Sequence, residues 1–160
     1  MQLKNSYINV LSSSVVTATG GFLEENKMAD KKLKPREQAF VIIFEKSFNP
    51  EVSVEELISN AGECENVTVN EKASNIAKGV ETNLEEVDKI IEANLRGWSK
   101  SRISRVALAI LRLGVYELKF AEKSAPVGVV ISEAVEICKN YGSDEDKSFV
   151  NGVLGSVSRS

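Results

Sequence analysis

From residue 35 onward the apolar positions of this chain recur at helical spacing, and no stretch alternates with period two between hairpin turns. Pro35 sits where proline is tolerated, in a first turn, and opens a helix carrying Ala39, Val41, Ile42, Ile43 and Phe44 that ends before Asn49-Pro50. Ser53-Val-Glu-Glu56 predicts a capping box, with Ser53 accepting from the third helical N–H and Glu56 reaching back. Leu57 and Ile58 follow, and Gly62 is the expected stop. Ala73, Ile76, Ala77 and Val80 mark one face of a third helix. Thr82-Asn-Leu-Glu85 restarts a fourth, with Leu84, Val87, Ile90, Ile91 and Leu95 facing inward until Gly97-Trp98. A fifth, from about Ile103 to Phe120, is apolar nearly all round at Val106-Ala-Leu-Ala-Ile-Leu111, the pattern of a helix central in a core. Pro126 starts a sixth that carries Val130, Ala134, Val135 and Cys138 and stops at Gly142. Ser143-Asp-Glu-Asp146 caps a seventh, through Phe149, Val150, Val153, Leu154 and Val157, with its acids well placed for the dipole.

Composition narrows the class. One hundred and sixty residues allow one domain with a tail, and 42% hydrophobic with 27% charged residues is ordinary for a globule. Residues 1–30 are expected to be a disordered N-terminal extension, and residues 31–160 the helical domain. Met28 opens Met-Ala-Asp-Lys-Lys and would serve as a start, which would leave residues 1–27 outside the native protein. Ile8-Asn-Val-Leu11 is too short and too soon broken by serines to be a signal sequence, and no apolar run reaches the ~20 residues of a membrane span. A net charge of −3 argues against indiscriminate adhesion to nucleic acid, though a local basic patch still acts within about 10 Å. There is no histidine. Cys64 and Cys138 are far apart and form no CxxC, so two free thiols in a reducing cytoplasm are expected, with no metal and no cofactor. No phosphate-binding glycine loop or nucleophile elbow is present either, which excludes most enzymes.

Three features invite specific readings. Lys31-Lys32-Leu33-Lys34-Pro35-Arg36 places cations at a helix start, where the dipole disfavours them. The run is either a solvated tail or a place where a phosphate meets free N–H groups and basic side chains together. Gly152, inside the last helix, costs about 1 kcal/mol against alanine. It implies close approach by RNA or, preferably, by a neighbouring helix. Arg112 and Glu133 lie on two strongly apolar helices and are expected to form a buried structural ion pair.

Four segments together resemble the NusB family of transcription antitermination factors. They are Arg36-Glu-Gln-Ala39; Arg102-Ile103 with Ala109-Ile-Leu-Arg-Leu-Gly-Val-Tyr-Glu-Leu118; Pro126 with Val130-Ile-Ser-Glu-Ala-Val135; and Phe149-Val-Asn-Gly-Val-Leu154. The resemblance covers about residues 31–157 and implies an all-α fold of seven helices in two packed sub-bundles. It implies binding to boxA-type single-stranded RNA of ribosomal RNA leaders, together with NusE, a ribosomal protein of the small subunit, within the RNA polymerase antitermination complex. By the same resemblance Lys31, Lys32, Lys34 and Arg36 form an RNA-binding segment, although lysines stand where the family favours arginines and lose the bidentate fork. By pattern alone Phe149 is a core residue; the family places an RNA contact there, which single strands make by stacking bases on aromatic faces. The lysine that often precedes that phenylalanine is Ser148 here, with Lys147 one place earlier and so turned by about 100°.

The stretch from Trp98 to Leu108, with Lys100, Arg102 and Arg105 beside apolar residues, reads as a solvated helix start or as a partner surface. The family carries an acid where this chain has Ala107. The expected protein is therefore a cytoplasmic, non-enzymatic, RNA-binding factor that also has a possible homodimeric state. Two rivals stand beside it: a NusB-like domain detached from an rRNA methyltransferase, and a helical protein–protein adaptor without RNA.

Overall fold

The apolar pattern becomes seven α-helices and one 3-10 turn, with no strand among the described residues. The structure is a computed structural model and describes residues 33–63, 68–123 and 125–160. Lys31, Lys32, Cys64 and the expected extension over residues 1–30 lie outside them. The helices are α1 (Pro35–Phe48), α2 (Val54–Gly62), α3 (Glu71–Thr82), α4 (Leu84–Ala93), α5 (Arg105–Lys119), α6 (Val127–Tyr141) and α7 (Asp144–Arg159). The 3-10 turn, Lys100–Arg102, lies between α4 and α5.

Local chemistry sets most boundaries. Pro35 occupies the first turn of α1, and Asn49-Pro50 cannot prolong it because the residue before proline is driven from the helical region. Ser53 Oγ accepts from Glu56 N at 3.1 Å, which is half of the box expected there. The full reciprocal box forms instead at α7, where Asp146 N donates to Ser143 Oγ at 3.1 Å and Ser143 N to Asp146 Oδ2 at 3.0 Å. Asn70 caps α3 and Ser104 caps α5.

Helices α1, α2 and α3 pack as one sub-bundle and α4 to α7 as the other, with α5 against α1, α3, α4, α6 and α7. The central position follows from composition. Ala107, Ala109, Ile110, Leu111, Leu113, Gly114 and Val115 of α5 are all buried, so the helix has no wide polar side to present to water. Small residues let its neighbours come close. A Cβ on Gly79 of α3 would run into the Tyr116 ring of α5, and one on Gly114 into Leu154 of α7. Gly79→Ala is therefore expected to force the ring aside and lower stability by about 1–3 kcal/mol, read in a urea melt. A neutral effect would mean that Tyr116 has another rotamer free. Gly152 is a correction: a Cβ there would meet nothing within 4 Å, so no neighbouring helix explains it. The residue lies on the outer side of α7, and only packing reveals which glycines face a partner helix.

Candidate nucleic-acid interface

The first turn of α1 is a structural hub. Arg36 Nε donates to both oxygens of Glu117 on α5, at 3.0 and 2.9 Å. Their side chains are 13% and 6% exposed, so the pair is nearly dry. Glu37 Oε1 accepts from the Tyr141 hydroxyl at the end of α6 at 2.9 Å. Gln38 Oε1 accepts from Asn70 N at 2.8 Å, and its amide donates to Thr68 O at 3.2 Å, at the entrance of α3. Three successive side chains thus tie α1 to α5, α6 and α3. Arg36 is thus a strut that positions the turn carrying Lys34, its Nε engaged by Glu117.

Lys34 itself is 65% exposed, with Nζ 3.8 Å from Glu133 Oε1. Lys34, Pro35, Arg36, Lys72 and Glu133 line an open depression of about 210 Å³. Lys72, which the sequence reading missed, stands in the first turn of α3, exposed and with no acidic partner among the described residues. Its signal was the one that singled out Lys34: a cation where the dipole opposes it.

The expected Arg112–Glu133 pair does not form, since Glu133 faces Lys34. Arg112 reaches the other way, to Asp88 of α4, with Nε on Oδ1 and Nη2 on Oδ2, both at 2.9 Å. Lys100 Nζ adds a contact to Asp88 Oδ2 at 2.7 Å and another to Glu92 Oε1 at 3.3 Å. Helical pattern gives the side of α5 on which Arg112 lies but not which helix packs there. Burial works against the Asp88 carboxylate, yet the hydrogen bonds from Arg112 and Lys100 outweigh it and hold its pKa below the ordinary value. This network fixes the connection between α4 and α5.

That connection carries an aromatic site. Trp98 N donates to Leu95 O at 2.6 Å across a tight turn whose Gly97 has φ 81°, a conformation that favours glycine. Trp98 follows, 57% exposed, with its ring 5.6 Å from that of Phe149 and inclined by 55°. Phe149 is half-buried: it packs against the core, and its ring meets that of Trp98. Lys147 Nζ lies 2.8 Å from Asp144 Oδ1, a surface pair within one turn that contributes little to stability. No contact joins Phe149 to Lys34 or Arg36 directly. Their helices meet through the end of α6, where Tyr141 touches Glu37 and packs against Phe40 at 4.9 Å, and α7 begins three residues later.

The residues expected at a partner surface separate. Ala107 is fully buried, so it offers no surface contact, a correction imposed by the core-facing side of α5. Arg102 is exposed. Arg105 lies over the ring of Phe48, 4.5 Å from its centre, and donates to Ser47 O at 3.2 Å. Phe48, at 52% exposure, ends an aromatic row along α1 that begins at the buried Phe40.

No group of three or more acidic or cysteine side chains suited to a metal ion occurs among the described residues, and no helix among them is long and apolar enough to cross a membrane. Cys138 is buried, and that burial pushes its thiol up to about 12, so it is no nucleophile.

Comparison with known proteins gives a consistent result. The profile of the NusB family matches residues 33–159. The transcription antitermination protein NusB of Clostridium novyi is 38% identical over 128 residues, covering 78% of this chain and 95% of that protein. Among solved structures, T. maritima NusB superposes with a TM-score of 0.66 at 33% identity, over 81% of this chain and 93% of that one. A chain from a complex of the antitermination factors NusB and NusE with double-stranded RNA superposes at 0.67, with 29% identity, over 78% and 93%.

Proposed function

From the premise that this chain belongs to the NusB family of transcription antitermination proteins, we propose that it binds boxA-type single-stranded RNA of ribosomal RNA leaders jointly with NusE. It acts there in the cytoplasm, within the antitermination complex of RNA polymerase, as a factor that catalyses no reaction. The observation that carries the RNA reading is the depression at the α1 entrance. Lys34 and Lys72 stand at two helix starts where a cation is unfavourable until an anion arrives. Phe149 adds a half-open aromatic face, and Gly152 leaves the surface of α7 bare one turn further on. The exposed Phe48 beneath Arg105 supports a protein-binding surface for NusE. The Clostridium novyi relative, matched over 95% of its length, is itself a transcription antitermination protein, which supports the antitermination reading.

Binding by this protein alone is expected to be weak, because its net charge is −3 and few cations lie in the depression. NusE brings a second RNA surface, so the pair binds more tightly than either component. Titration of boxA RNA at several salt concentrations, with and without NusE, tests this. Lys34→Ala and Lys72→Ala should each reduce the salt slope by about 0.7, the value for one single-strand phosphate contact. Unchanged slopes in both variants, with no gain from NusE, would refute the proposal. A duplex of the same sequence serves as competitor, since the related NusB–NusE complex holds double-stranded RNA.

A further inference from the structure

We infer that Trp98 is a second base-stacking platform, with Arg96 and Arg102 gripping phosphates on either side of it. The inference rests on the RNA reading above and extends the strand path from Phe149 onto the connection between α4 and α5. Its first support is exposure: the Trp98 indole is the most exposed large apolar side chain described, and its turn is built to hold it out. The Leu95–Trp98 hydrogen bond and the positive φ of Gly97 fix its base, while the Asp88–Lys100 contact ties down the segment just after it. A platform fixed in advance loses little freedom when a base settles on it.

The second support is charge. From Asn94 to Tyr116 the chain contains no Asp or Glu. Lys100 is occupied by Asp88 and Glu92, and Arg105 by Phe48 and Ser47. Arg96 and Arg102, two residues before the indole and four after it, are exposed and have no acidic partner among the described residues. An exposed indole flanked in sequence by two unneutralised arginines matches a polyanion with stackable bases better than it matches an ordinary protein face.

The third support is continuity. The Trp98 and Phe149 rings are in contact but inclined by 55°, so bases lying on both faces cannot be coplanar. The strand has to turn between them. An unpaired strand does this readily, whereas a regular A-form duplex keeps its bases parallel and inside. The ligand class is therefore single-stranded RNA.

Trp98 is the only tryptophan in the chain, so its emission reports on this connection alone. The experiment titrates the full chain with an unstructured boxA-type oligoribonucleotide of about a dozen nucleotides. The indole emission should be quenched on binding, and a duplex of the same sequence should not quench it. Trp98→Ala should weaken binding about 5- to 150-fold, the range of one lost base–aromatic stack, while Trp98→Phe keeps most of the affinity. Arg96 and Arg102 are exposed and their side chains make no hydrogen bond or ion pair among the described residues, so Arg96→Ala and Arg102→Ala should leave the fold intact, and each should lower the salt slope by about 0.7. The platform is overturned if Trp98→Ala and the arginine variants bind RNA normally while Phe149→Ala or Lys34→Ala weakens it; the RNA reading then stands without it. It is also overturned if Trp98→Ala keeps RNA affinity but loses capture of NusE, which would make the indole a protein contact. Normal RNA binding by every one of these variants would remove the RNA reading itself.

Discussion

Glu117→Ala is expected to destabilise this protein by about 3–5 kcal/mol, the largest effect of any single side-chain truncation outside the apolar core. The change leaves the Arg36 guanidinium nearly buried with nothing to neutralise it. For a chain of this size that corresponds to a fall in melting temperature of roughly 10 °C. Removing both charges has a different outcome. In Arg36→Met/Glu117→Leu the desolvation of two ions disappears along with their attraction, so stability should return to near that of the parent. Thermal melts of the three proteins check this. The double variant also separates two roles of Arg36. If it folds well and still binds RNA with an unchanged salt slope, Arg36 is a strut alone. If it folds well and the slope drops by about 0.7, Arg36 touches a phosphate as well as Glu117. A Glu117→Ala protein as stable as the parent would show that the pair is worth little.

Asp88→Ala is expected to have the next largest effect, about 2–4 kcal/mol, because it strips the anion from both Arg112 and Lys100. The side chains of Asp88 and Arg112 are each 15% exposed, so water recovers part of the loss and the figure lies below that for Glu117. The same contact predicts a pH dependence. The Asp88 pKa is lowered in the folded protein, so the unfolded chain binds the proton first as pH falls. The stabilisation is present in full above the unfolded carboxylate pKa of about 4 and is lost as pH drops through the lower folded value. Acid titration of the parent should therefore show a loss below about pH 4 that is smaller in Asp88→Asn. Because Lys100 follows Trp98 by two residues, Asp88→Asn should also loosen the indole, seen as lower fluorescence anisotropy. Unaltered anisotropy would mean that the tight turn at Gly97 holds Trp98 unaided.

Both predictions turn on partners that linear pattern could not assign. Glu117 was legible as part of the family-like stretch Ala109–Leu118, and Arg36 as the first residue of Arg36-Glu-Gln-Ala39, but nothing in their spacing joins residues 81 positions apart. The family resemblance gave Arg36 to RNA, and a cation at a helix start was consistent with that. The fold satisfies it from a helix in the other sub-bundle. The Arg112–Glu133 pairing failed for a related reason. Periodicity tells which residues share a side of one helix, whereas the helix that faces that side is a matter of packing angle. Trp98 lies at the other extreme. Its flanking glycine and arginines were visible, but its exposure was not, since tryptophan is more often covered than left in water.

What the sequence determined by itself is local in origin. Apolar spacing of three and four residues set seven helices. Pro35, Ser53, Ser104, Ser143 and Gly142 set where several of them begin or end, because caps and breakers act within one turn. An all-round apolar α5 had no other place than the centre. Only the tertiary structure decided which charges neutralise each other, which glycines meet a neighbouring helix, and which aromatic faces stay in water. Those outcomes depend on the relative placement of distant elements, which is fixed by how their side chains fill the space between them.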